Sequence, residues 1–129
     1  MSISGLIAVV GVVLSSTYAG SGQFTTVRGV YPLQELRYLR AASGRGGLQL
    51  MAGAGAIMLS GVQADEIAPG RLRLSIDRME ALTSYAAEAA CDVRMSKAGA
   101  FLRLSCKGVL GPRREPFSVS WTAARRPSA

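Results

Sequence analysis

The residues of this chain best placed to do chemistry are two cysteines and a set of arginines, since histidine is absent and aspartate and glutamate together number eight. Cys91 and Cys106 bound the segment CDVRMSKAGAFLRLSC. A two-residue Ala98-Gly99 turn there would set Cys91, Val93, Met95 and Lys97 across from Cys106, Leu104, Leu102 and Ala100, an apolar face. Asp92, Arg94 and Ser96 would share the solvated face with Ser105, Arg103 and Phe101. In this register the two thiols face each other, within reach of a disulfide in an oxidising compartment and as two small core side chains in a reducing one. No metal centre is expected, because two thiolates without histidine leave a tetrahedral shell incomplete.

The carboxylates offer little for acid/base work. Glu80 reads as a helix cap, Glu88 as the polar face of that helix, Asp92 as the solvated side of a hairpin, and Asp65 and Glu66 as loop residues. No serine lies in a G-x-S-x-G setting, and no base is positioned to activate one. The glycines at 43–47 and 53–55 lack the spacing of a phosphate-binding loop and read as turns or close packing. The expectation is a protein that is not an enzyme and carries no cofactor.

Charge points toward partners instead. Fifteen basic residues, thirteen of them arginine, against eight acidic ones give a net charge of +7, a balance that favours polyanions or acidic surfaces. Arg71, Arg73, Arg94 and Arg103 fall on the solvated faces of expected strands and would form one cationic face if those strands are neighbours. Arg37, Arg40 and Arg45, interleaved with Tyr38, form a second candidate for polyanion binding. The plainer reading is that these charges solvate the surface or meet an acidic partner protein.

The elements that must position these groups fall into five stretches. Residues 1–20 form an apolar N-terminal element, nearly all apolar from Ile3 to Leu14, and no charged side chain precedes Arg28. A membrane-spanning helix needs about 20 apolar residues, so the stretch is a marginal span. As a cleaved signal it lacks a basic start, and its valines also suit a buried strand. Residues 21–46 form a basic linker with a short amphipathic helix over residues 31–42, opened by Pro32 and aligned on Leu33, Leu36 and Leu39. Residues 47–64 form a second uncharged stretch, rich in glycine and alanine. It reads either as a second span packed through small residues or as a strand pair turning at Gly53–Gly55.

Residues 65–124 carry the strongest pattern, and residues 125–129 form a basic tail. Leu72, Leu74 and Ile76 alternate with polar residues as in a half-buried strand. Asp77 and Glu80 form a capping box for a helix reaching about Ala90, with Met79, Leu82, Ala86 and Ala89 along one side. The cysteine hairpin and a last strand over residues 117–122 complete an order of strand, helix, hairpin and strand across about 71–122. The expected fold class is therefore α+β, a small, mostly antiparallel sheet with one packed helix, preceded by the apolar N-terminal segment.

A chain that is 49% hydrophobic and 18% charged, with a mean hydropathy of +0.25, is neither disordered nor a coiled coil. The function expected from these features is that of a non-catalytic structural or interaction subunit of an envelope-associated, virion or secretion-type assembly. Its partners would be other protein subunits, with a membrane as a further contact, and its location the cell envelope. The alternative is a soluble, basic nucleic-acid-binding module, cytoplasmic or in a virion, that uses the arginine-rich sheet face.

Overall fold

A computed structural model describes residues 12–53, 55–81 and 83–124 of the chain. Eight strands run in order: β1 (Val12–Thr26), β2 (Gly29–Ala41), β3 (Gly46–Ala52), β4 (Gly55–Ala68), β5 (Arg71–Glu80), β6 (Ser84–Met95), β7 (Phe101–Leu110) and β8 (Glu115–Ala123). Each pairs antiparallel with the next, and β8 returns to β1 to close an up-and-down barrel.

Period-two alternation builds most of the wall. On β8, Phe117, Val119 and Trp121 are buried while Ser120 and Thr122 are exposed. On β5, Leu74 and Ile76 point inward and Arg71, Arg73 and Ser75 outward. An eight-stranded barrel is just wide enough for side chains to fill. Among the described residues its buried set is apolar, aromatic and cysteine, with no buried charge. Each fully buried leucine contributes about 1.5–3 kcal/mol over leaving it in water. The wall is thus polar outside and apolar inside, the reverse of a barrel that crosses a bilayer with its strands.

Closure depends on Trp121. It stands opposite Gly22 in the β1–β8 register. A methyl group at Gly20 would collide with its indole, and one at Gly22 with the β8 backbone. Trp121 Nε1 donates to the carbonyl of Gln34 on β2 at 3.2 Å, so one side chain ties the last strand to the first two. Behind the outer wall Cys91 of β6 is joined to Cys106 of β7 by a disulfide, both residues fully buried.

The architecture corrects the α+β expectation: the described residues contain no helix. Residues 31–42, expected as an amphipathic helix, lie mostly in β2, and the helix expected from Asp77 to Ala90 is the end of β5, a turn and the start of β6. The Asp77 carboxylate caps nothing and instead accepts from Arg45 Nη2 at 3.1 and 3.2 Å. Glu80 lies 3.7 Å from Arg78.

The physical source of both errors is the β-bulge. Buried residues step by three at Ile76–Met79 and Phe101–Leu104, where Asp77 and Leu102 are the extra residues of β5 and β7, and at Leu33–Leu36, where the extra residue lies across the ladder in β1. A bulge inserts one residue into one strand, and a step of three in a short window imitates a helical face. The same device corrects the cysteine hairpin. Its register is Cys91 to Cys106 and Arg94 to Arg103, but Met95 then pairs with Phe101. Phe101 is therefore buried at 2% exposure and Leu102 faces out at 43%, the opposite of the simple alternation.

The 47–64 stretch falls in β3 and β4, which turn near Gly53 at a positive φ of 60° that favours glycine. Among the described residues no helix is long and apolar enough to cross a membrane. Of the apolar N-terminal element, residues 12–20 belong to β1, while residues 1–11 and the basic tail at 125–129 lie outside the described residues.

The disulfide joins residues 15 apart, and a loop of that size restricts the unfolded chain by about 3 kcal/mol. The double variant C91A/C106A is expected to lose about that much stability in urea denaturation. A loss below about 1 kcal/mol would show that the cross-link adds little to the hairpin's own packing.

Candidate functional site

The outer faces of β5, β6 and β7 place three arginines in one row. Arg71 is the register partner of Arg94, and Arg94 of Arg103. With strands about 4.8 Å apart, the row spans about 10 Å across the sheet. Arg73, also expected on this face, lies in the neighbouring row beside Asp92, with Nε 3.5 Å from Oδ1.

Among the described residues four arginines meet carboxylates, Arg73 being one of them. Arg45 meets Asp77 at 3.1 Å, Arg114 meets Glu88 at 3.1 Å and Arg78 meets Glu80 at 3.7 Å. Among the described residues Arg71, Arg94 and Arg103 make no ion pair. Like charges directly opposite on adjacent strands are destabilising by roughly 0.2–1 kcal/mol per pair. The row therefore works slightly against the fold that carries it.

Two bulges place apolar residues at its ends. Ile67 sits at the register shift between Glu66 and Ala68, beside Arg71, and Leu102 sits at the β7 bulge, beside Arg103. Both are large and exposed, at 45% and 43%. Leu102 was not among the residues expected to face outward, because alternation assigned it to the core, and Ile67 was not singled out. A three-residue step from Phe101 to Leu104 is the signal that marks Leu102.

Arg37 and Arg40 of β2 and Arg45 of the following turn do not join this row, since β3 and β4 separate them from β5. Arg37 Nε donates to Thr17 Oγ1 at 3.3 Å. Arg40 instead borders a cleft of about 580 Å³ at the barrel mouth, lined also by Tyr18, Tyr38, Met95, Phe101 and Glu66. Tyr18 stacks on Phe101 with ring centroids 5.2 Å apart, and Tyr38 meets the same ring at 5.0 Å. Burial pushes the Tyr38 hydroxyl above the ordinary tyrosine value of 10.0, Arg40 opposes that shift, and Tyr18 adds to it. Among the described residues no three histidine, cysteine, aspartate or glutamate side chains gather as metal ligands would.

Two measurements follow from this geometry. Arg94→Gln removes the middle charge of the row and is expected to stabilise the barrel by about 0.5 kcal/mol at low ionic strength, with the gain fading in molar salt. Unchanged or lower stability in urea titrations would mean that the row is not strained. Tyr38 favours its neutral form when folded, so its contribution is complete below pH 10.0 and is lost as pH rises through its higher folded value. Tyr38→Phe should accordingly show a smaller alkaline loss of stability than the wild type, and an equal loss would count against burial as the cause.

The chain matches no protein-family model, no curated protein and no solved structure.

Proposed function

We propose that the chain is a non-catalytic interaction subunit of an envelope-side assembly, and that it docks an acidic patch of a partner protein through Arg71, Arg94 and Arg103. The observation that carries this reading is the unpaired, in-register arginine row. A cost in stability at three adjacent positions is offset when an external anion arrives.

Size and surroundings favour a protein over nucleic acid. Three arginines neutralise few phosphates, whereas nucleic-acid binders commonly make several more such contacts. The neighbours of the row, Ile67, Leu102 and Thr122, supply no aromatic platform for stacking bases. Arginine flanked by exposed aliphatic side chains is instead the composition of a protein–protein contact. The buried disulfide supports an oxidising, extracytoplasmic location. So does the stretch before Arg28, which carries no charge.

The test compares the intact chain with R71Q/R94Q/R103Q on immobilised polyglutamate and on duplex DNA across a salt series. The wild type is expected to bind polyglutamate about tenfold or more tightly than the variant. Its affinity for DNA should be weak, with a log–log salt slope no steeper than about −2.7, the value for three phosphate contacts. Equal retention of both proteins on polyglutamate would overturn the reading. A slope near −6 or steeper would replace it with the nucleic-acid module.

A further inference from the structure

The two ends of the barrel differ. The mouth end carries the β2–β3, β4–β5 and β6–β7 turns, and the described chain both enters β1 and leaves β8 there. The far end is built from the β1–β2, β3–β4, β5–β6 and β7–β8 turns. Six large hydrophobic side chains are exposed among the described residues, and four of them, Val27, Val30, Tyr31 and Tyr85, stand in or next to these far turns. The other two, Ile67 and Leu102, flank the arginine row. Local structure does not require this. A tight hairpin turn ordinarily uses Asn, Asp or Gly, yet the β1–β2 turn is made by Val27, 59% exposed, and Arg28. Val30 follows at 55%. Tyr31 leans on Phe24 with ring centroids 6.1 Å apart, and Phe24 on Phe117 at 6.0 Å, so the core props an exposed aromatic ring at this rim.

We propose that this far end rests on an anionic lipid surface, with the β1–β2 and β5–β6 tips entering the headgroup layer. Ring order sets those two hairpins on opposite sides of the barrel, so a contact that reaches both must extend across the whole end. A bilayer surface does this and a narrow protein segment does not. Tyr31 and Tyr85 suit such a boundary, since a tyrosine ring is apolar and its hydroxyl stays hydrated. Contact is confined to the turns and the rim, because the outer wall beyond them is polar and would not enter hydrocarbon.

Charge selects an anionic surface. Arg28 shares its turn with Val27, and Arg113 lies in the neighbouring β7–β8 turn. A groove of about 380 Å³ beside them is lined by Val27, Pro116 and Phe117 together with Lys107, Thr25 and Ser118. The lysine and the hydroxyls can receive a headgroup phosphate where the apolar residues meet the start of an acyl chain. Among the described residues none of Arg28, Lys107 and Arg113 forms an ion pair. Glu80 and Glu88 at this end are held by Arg78 and Arg114, and Glu115 is the carboxylate that opposes the three cations. Basic side chains close to an anionic bilayer each add attraction, whereas a second copy of a chain with net charge +7 is repelled. The proposal rests on the envelope-side reading and not on the arginine row, which lies toward the mouth end at the starts of β5 and β7.

The experiment sediments the full chain with vesicles of phosphatidylcholine alone and of phosphatidylcholine mixed with phosphatidylserine. Binding to the anionic vesicles is expected to be about tenfold or more tighter than to the neutral ones. R28Q/R113Q should lose most of that preference, and V27S/V30T should bind the anionic vesicles about tenfold or more weakly. Val27→Trp reads insertion directly, because Trp121 is the one native tryptophan and is buried. Emission from position 27 should shift to the blue on anionic vesicles and be quenched by lipid labelled in its acyl chains. R71Q/R94Q/R103Q should lose polyglutamate docking yet stay within about threefold of the wild type on vesicles, since the row lies beyond the screening length from this end. The tip variants should do the reverse, which separates failure of this surface from failure of the row. Vesicle binding that V27S/V30T and R28Q/R113Q both retain would place the lipid contact elsewhere in the chain. Binding lost only in R71Q/R94Q/R103Q would assign it to the row, and self-association that V27S/V30T abolishes, without sedimentation, would assign this end to a second copy. Each of these results overturns the proposal, as does an unshifted emission from position 27.

Discussion

The indole of Trp121, lying in the space that Gly20 leaves open while the β8 backbone closes on Gly22, is the contact on which the barrel's closure depends. An eight-stranded wall has an interior only wide enough for side chains, so joining the first and last strands requires a large group on one and none on the other. Trp121 also donates to Gln34 on β2, which fixes where along β1 the last strand can sit. From that register the rest of this side follows. Among the described residues β8 meets β1 from Gly20 to Thr26, and Ala124 still donates to the carbonyl of Ala19.

The hairpin that carries the arginine row meets a different constraint. Arg94 and Arg103 repel across β6 and β7, and those are the two strands joined by the disulfide. The cross-link lies inside the wall and the charges outside it. Repulsion at the surface therefore acts on a strand pair whose separation is covalently limited, and a cost of roughly 0.2–1 kcal/mol is small against a restriction of about 3 kcal/mol. A cationic row is sustainable here in a way it would not be on an unlinked edge.

How much of this was legible in the chain depended on whether a strand was regular. Where alternation ran unbroken, as in Phe117–Val119–Trp121 and Leu72–Leu74–Ile76, both the strand and its buried face could be read from the residues. The pairing of Arg94 with Arg103 could be read too, because a turn near Ala98-Gly99 left one plausible register up to the bulge. Strands paired across a bulge were read as helices. Leu33, Leu36 and Leu39 align on a helical face, yet Tyr38 is the residue that joins Leu33 and Leu36 in the core. Around Asp77 a capping-box spacing coincided with a bulge, and the alanines of β6 added local helix preference that pairing with β5 and β7 overrides. Barrel closure was not legible, since the pairing of β1 with β8 joins residues nearly a whole chain apart.

The bulges that obscured the fold are also what shape the surface. A regular β7 would bury Leu102 and expose Phe101, which would remove the aromatic floor of the mouth cleft and the aliphatic flank of Arg103 together. A regular β4–β5 pair would likewise leave Arg71 without Ile67 beside it. Below the mouth cleft, the interior is filled by apolar side chains and holds no buried charge among the described residues. It is at the bulges that the outer wall and the mouth depart from regular polar and apolar alternation.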